Sequence, residues 1–192
     1  MALPRPSSRL SRIVPALALL LAGIHAAQAA DLARVASPGD VLAVTLEAQH
    51  EGRIAYRVER RGQAVIAPSR LGFLLGDGRL ERNLELVGQS RRSFDETWEQ
   101  PWGERRLTRN HYNELRARFA EKPVDAAHPG RRFDVVLRVY DDGVGLRYEF
   151  PEQAGMSEAR IRAELTEFAL ARPATAWWIP AFEWNREEYL YR

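Results

Sequence analysis

The chain has 192 residues, a formal net charge of +2 and no cysteine. Lys122 is its only lysine, and the arginines are interspersed with acids instead of forming a basic stripe, so no nucleic-acid partner is expected. Without cysteine there are no disulfide staples and no thiol for lipid attachment, and the fold must rest on its hydrophobic core.

Arg5, Arg9 and Arg12 precede an apolar run from Ile13 to Ile24, interrupted by Pro15 and Gly23, and Ala27-Gln28-Ala29 has the small-x-small pattern of a cleavage site. The run falls short of the roughly twenty residues that a spanning helix needs. Residues 1–30 therefore read as a cleaved secretory signal, with an uncleaved anchor as the competing reading. Its loss removes three arginines and no acids, taking the net charge from +2 to −1. The remaining domain, residues 31–192, is then secreted or periplasmic and free of the membrane. It is large enough for one hydrophobic core and small for two.

From here the dominant period is two. Ile54, Tyr56 and Val58 alternate with Ala55, Arg57 and Glu59, as in a strand with one buried face. Arg61-Gly62 turns the chain into a second strand through Ala64-Val65-Ile66, with Pro68 as its stop. Gly72 to Leu75 forms a short strand before the turn Gly76-Asp77-Gly78, which is no phosphate loop because no helix follows it. Leu115, Ala117 and Phe119 face inward on a strand from Asn113. The clearest hairpin pairs Phe133, Val135, Leu137 and Val139 with Val144, Leu146, Tyr148 and Phe150 across Asp141-Asp142-Gly143. Residues 157–170 are ambiguous, because Ile161, Leu165 and Phe168 fit one helix face but the stretch also reads as strand. Short strands and Gly, Pro and Asp turns predict an antiparallel sandwich. After Pro173 the chain is dense in aromatics, including Trp177, Trp178, Trp184, Tyr189 and Tyr191. It stops without a closing strand, so an incomplete domain is expected.

The densest chemistry lies in residues 93–115, which carry Trp98, Trp102, Tyr112, His111 and five carboxylates. Flat apolar rings beside carboxylates are what a pyranose needs, since a sugar offers C–H faces and hydroxyls together.

Several blocks in fixed order resemble the N-terminal domain of glycoside hydrolase family 97, the bacterial α-glucosidases and α-galactosidases. They are Ser37-Pro38 leading the first strand, Pro68-Ser69 followed by Leu71-Gly72, Phe94-Asp95-Glu96-Thr97-Trp98, Pro101-Trp102-Gly103-Glu104, and Arg109 to Leu115. Arg138 to Phe150, Trp177-Trp178-Ile179-Pro180 and Glu188-Tyr189-Leu190-Tyr191 complete the series. The resemblance implies an all-β, galactose-mutarotase-like antiparallel β-super-sandwich. It would be followed by a (β/α)8 barrel that holds the catalytic carboxylates and by a small C-terminal β-domain. It also implies calcium as cofactor, an α-glucoside or α-galactoside as the carbohydrate partner, and the barrel as the sandwich's docking partner.

One acid of the sandwich reaches the calcium in this family, and the matching position here is Glu188. One extra residue after Pro180 leaves Glu187 as the second choice. Calcium takes six to eight oxygen ligands, so a single carboxylate implies weak or no binding by these residues alone. No catalytic residue is assigned, because the family places both carboxylates in the barrel. Trp98 and Trp102 are expected in a core or a domain interface, with sugar stacking as the alternative. His111 is expected to be a hydrogen-bonding residue instead of a base. Arg109, Arg138 and Arg147 are expected to pair with Asp95, Glu96, Glu99 or Glu104.

The reading is thus a carbohydrate-associated supporting domain of an exported calcium-dependent hydrolase, itself inactive. A free-standing carbohydrate-binding or scaffolding module and a decayed reading frame are the competing readings.

Overall fold

In the computed structural model, residues 29–123, 125, 130–154 and 156–177 are described. Among them are eleven strands and one 3-10 turn, His50–Gly52. A first antiparallel sheet follows chain order with β1 (Ala30–Ala36), β2 (Leu42–Gln49), β3 (Arg53–Arg60) and β4 (Gln63–Arg70). Strands β5 (Phe73–Leu75) and β6 (Gly78–Leu80) form a small hairpin around Gly76-Asp77, joined on its other edge by β11 (Ile161–Glu164). The second large sheet has the order β10-β9-β8-β7, built from β7 (Leu84–Glu99), β8 (Leu107–Glu121), β9 (Arg132–Val139) and β10 (Val144–Glu149).

The two large sheets face each other through their alternating apolar rows, which is why the period of two dictates the architecture. Val44, Leu46, Ile54, Tyr56 and Val58 from the first sheet share one core with Leu115, Ala117, Phe119, Phe133, Val135, Leu137 and Val139 from the second. The small sheet adds Leu71, Phe73, Leu75 and Leu80 to that core. Phe73 links the layers, with ring centroids 4.6 Å from Tyr148, 5.3 Å from Phe150 and 6.4 Å from Phe133. The expected hairpin forms from β9 and β10, with Val144 opposite Val139 and Tyr148 opposite Val135.

Two expectations need correction, and the ambiguity over residues 157–170 resolves to its extended alternative. Ser37-Pro38 does not lead the first strand, because β1 precedes it and Ser37 begins the turn into β2; its Oγ accepts from the amides of Val41 and Leu42 at 3.0 and 3.1 Å. Pro68 does not end β4. The β3–β4 register jumps from Tyr56↔Ser69 to Val58↔Ile66, so Arg57 faces two residues and Pro68 lies in the bulge, where its missing N–H costs no ladder bond. Residues 157–170 are not helical. After β11, the amides of Leu165, Glu167 and Ala171 donate to the carbonyls of Gly72, Arg70 and Val65, while Ala67 donates to Ala169. The open edges of β4 and β5 offer this segment an extended hydrogen-bond partner, and that outweighs a three-residue apolar stripe.

Candidate functional site

Residues 93–115 are one long hairpin. β7 pairs with β8 over their whole lengths, from Leu84↔Glu121 to Glu99↔Leu107. β9 accompanies β8 only as far as Asn113↔Val139, so among the described residues β8 from Leu107 to Tyr112 has β7 as its only strand partner. The hairpin therefore runs past the end of the sandwich as a two-stranded ribbon. Its turn is built: the Gln100 amide donates to the Arg106 carbonyl at 3.0 Å, and Gln100 Nε2 donates to the Arg105 carbonyl at 2.5 Å. Gly103 sits at φ +116°, where a Cβ would lie 2.9 Å from Gln100 Nε2.

This ordered turn leaves its tryptophans outside. Trp98 is 45% exposed and Trp102 is 83% exposed, so neither is part of the sandwich core, and of the expected placements a domain interface or sugar stacking is left. The reason is topological: among the described residues no strand of the opposite sheet pairs with or extends over the ribbon beyond Asn113.

Side-chain alternation sorts the ribbon into two faces. One carries Asp95, Arg109 and His111. Arg109 clamps Asp95 with two hydrogen bonds of 2.8 and 2.7 Å, which hold its carboxyl below the usual range. His111 Nε2 is 4.0 Å from Asp95 Oδ2. Nearby, the Ser37 hydroxyl and the Gly39 amide lower the Asp141 carboxyl; the amide contact is 2.8 Å. The other face carries Phe94, Glu96 and Trp98 on β7, directly opposite Tyr112, Asn110 and Thr108 on β8. Asp95 and Glu96 thus point to opposite sides and do not flank a common bond, as a glycosidase pair must.

Deeper on the second face lies a buried polar cluster. Glu114 accepts from Arg92 Nη2 at 3.0 Å and from Arg138 Nε at 2.8 Å. Burial pushes its carboxyl up, but the two arginines together outweigh that and lower it. Arg138 also stands over the Tyr112 ring, 4.7 Å from its centroid, and Phe94 stacks on that ring at 5.3 Å. Asp134 is held the same way by Arg116 at 2.9 Å and Arg118 at 3.0 Å. Of the three arginines expected to meet the ribbon acids, only Arg109 does; Arg138 pairs with Glu114 and Arg147 with Glu149. Between the β1–β2 turn and the β7–β8 hairpin runs an open polar groove of about 620 Å³, lined by Arg34, Ser37, Arg91, Ser93 and Asn113 among others.

Glu188, its neighbour Glu187, and Trp178, Trp184, Tyr189 and Tyr191 lie outside the described residues. Among the described residues no group of three or more His, Asp or Glu side chains is placed to hold a metal ion, so no calcium chemistry is built from them.

Residues 35–192 match the family model for the glycosyl-hydrolase 97 N-terminal domain. A probable retaining α-galactosidase of Streptomyces bingchenggensis (strain BCW-1) is 36% identical over 126 residues, covering 66% of this chain and 18% of that protein. A glycoside hydrolase family 97 enzyme from Pseudoalteromonas sp. strain K8, solved in complex with panose and with acarbose, superposes with a TM-score of 0.75 at 36% identity. That match covers 83% of this chain and 24% of the enzyme, and a β-arabinopyranosidase matches at a TM-score of 0.64 and 26% identity over 72% and 21%. The chain thus spans about a quarter or less of the length of these relatives. Its antiparallel β-sandwich and its match to the family model over most of its length make it a member of glycoside hydrolase family 97, corresponding to the N-terminal domain.

Proposed function

We propose that this chain is the supporting sandwich of an exported α-glycoside hydrolase. It packs against a catalytic barrel and forms part of the wall of that barrel's sugar site. The observation that carries the reading is bare apolar surface at the β4 side of the first sheet, where Val65 and Leu170 share an open groove with Pro173 and Ala174 and Phe168 is 70% exposed; Trp177, a few residues on, is 78% exposed. Large apolar side chains left bare along an edge mark a contact surface, and this surface lies next in sequence to the Trp178–Pro180 block. The α-glucosidic or α-galactosidic substrate class is supported by relatives named as an α-galactosidase and solved with panose and acarbose. Residues 1–30 act as the leader in this reading, and Glu188 is the one oxygen ligand the sandwich lends to calcium.

The test is a chimera in which this chain replaces the matching domain of the Pseudoalteromonas enzyme. It should hydrolyse an α-glucoside, while the barrel with its sandwich deleted and this chain by itself should not. Glu188→Gln in the chimera should raise the calcium concentration needed for half-maximal activity. A folded but inactive chimera, or a fully active deletion, overturns the reading.

A further inference from the structure

On the outer face of the ribbon, Glu96 stands opposite Asn110 and Trp98 opposite Thr108. Directly opposed side chains lie about 4.5–5.5 Å apart at Cβ, and successive same-face pairs are neighbours. An indole, a carboxylate, a carboxamide and a hydroxyl therefore share one patch of sheet. Trp98 is nearly half exposed. Glu96 and Thr108 make no hydrogen bond or ion pair among the described residues, although most of the described acids are paired with arginine. Asn110 is fixed by the Tyr140 hydroxyl, which donates to its Oδ1 at 3.2 Å. Tyr140 in turn packs on Tyr112, with centroids 5.2 Å apart. The patch is thus rigid at its inner end, on a strand pair held by an ordered turn.

We infer that this patch is a sugar-binding surface for neutral pyranosides. The Trp98 ring offers its electron-rich face to the C–H face of a pyranose. Glu96 supplies two acceptors for vicinal hydroxyls, Asn110 supplies amide donors, and Thr108 can both donate and accept. An uncompensated carboxylate beside the ring disfavours uronic or sulfated sugars by like-charge repulsion. A protein partner fits the patch poorly. Interface cores are depleted of glutamate, whereas Trp98 shares its face with Glu96 and adjoins the charged turn. Leu107, the other bare apolar residue of the strands here, is on the opposite face.

This deepens the proposed function by naming the face of the domain that meets sugar, and it does not depend on the β4-side apolar surface. The test is titration of the chain with maltotriose, with raffinose and with trigalacturonic acid, followed by tryptophan fluorescence. At least one neutral trisaccharide should bind saturably, at least about ten-fold tighter than the acid. Trp98→Ala should weaken it by about ten-fold or more. Glu96→Gln should weaken it several-fold, Trp98→Tyr should restore most of it, and Trp102→Ala should leave it within about two-fold. Thermal melts confirm that each variant is folded. Failure of a folded chain to bind either neutral sugar, or binding indifferent to Trp98→Ala, overturns the inference. An inactive chimera whose sandwich still binds sugar sinks the docking reading alone. An active chimera whose sandwich lacks the Trp98-dependent binding sinks only this one.

Discussion

Two residues show how tightly this sandwich is specified locally. Gly72, where the chain leaves β4 for β5, sits at φ +138°, and a Cβ there would come within 2.9 Å of the Glu81 backbone and side chain. Gly72→Ala should destabilise the fold by about 1–3 kcal/mol from backbone strain, with the close contact adding to it. Gly88→Ala meets nothing within 4 Å and should stay near neutral; chemical denaturation of the two variants makes the comparison. Asp134 is buried under Arg116 and Arg118. Burial raises its carboxyl, and the paired hydrogen bonds and charges of Arg118 and Arg116 overcome that to lower it from 3.8. A lowered folded-state pKa means that the stability is present above the unfolded value and lost as the pH falls through the folded one. Glu114, lowered from 4.5, behaves alike. The melting temperature should therefore hold above about pH 5 and drop below about pH 4. Asp134→Asn should cost about 1–3 kcal/mol at pH 7 and blunt that acid-side drop. An unchanged acid profile in the variant would show that Asp134 has no such role.

At the scale of the element, β9 holds the layers together. Phe133 is fully buried between Phe119, Tyr148, Phe150 and Phe73. Phe133→Ala should cost about 3–5 kcal/mol and lower the denaturant midpoint without altering the exposed ribbon. Such strands were legible in the sequence because every second residue is apolar and the Asp141-Asp142-Gly143 turn follows. Pro68 was not legible as a bulge, because its tolerance depends on what β3 places opposite it. The segment 157–170 stayed open between helix and strand in the sequence, since the edge that recruits it lies about a hundred residues earlier. The ribbon patch was half visible: Phe94, Glu96 and Trp98 are spaced by two. Their partners Thr108 and Asn110 depend on a register set by the turn around Gly103. The sequence left Trp98 and Trp102 open between core and exposed placements, because composition does not say where the opposing sheet ends. Sequence alone named Glu188 through resemblance, and no geometry among the described residues bears on it.

At the scale of the whole molecule, most acids among the described residues are paired with arginine, and two regions stand apart from that pattern. One is the ribbon with Trp98 and Glu96, and the other is the bare apolar surface at Phe168 and Leu170. A domain with one sugar-facing region and one greasy flank is suited to sit beside a catalytic unit, and the chimera and the sugar titration examine those two regions separately.

The stretch that closes the first sheet has a temporal consequence. Residues 65–72 are bonded on their outer side by residues 165–171, and the Tyr56 hydroxyl reaches the Glu167 carbonyl at 2.7 Å. A chain emerging from its N-terminal end makes β1 to β4 early but cannot seal β4 until nearly a hundred more residues have appeared. During that interval β4 is an open template for other strands. Non-local pairing of this kind folds slowly and exposes nascent chains to mispairing. Folding yield should thus be governed by how soon the 165–171 segment arrives, more than by the strength of the core it finally covers.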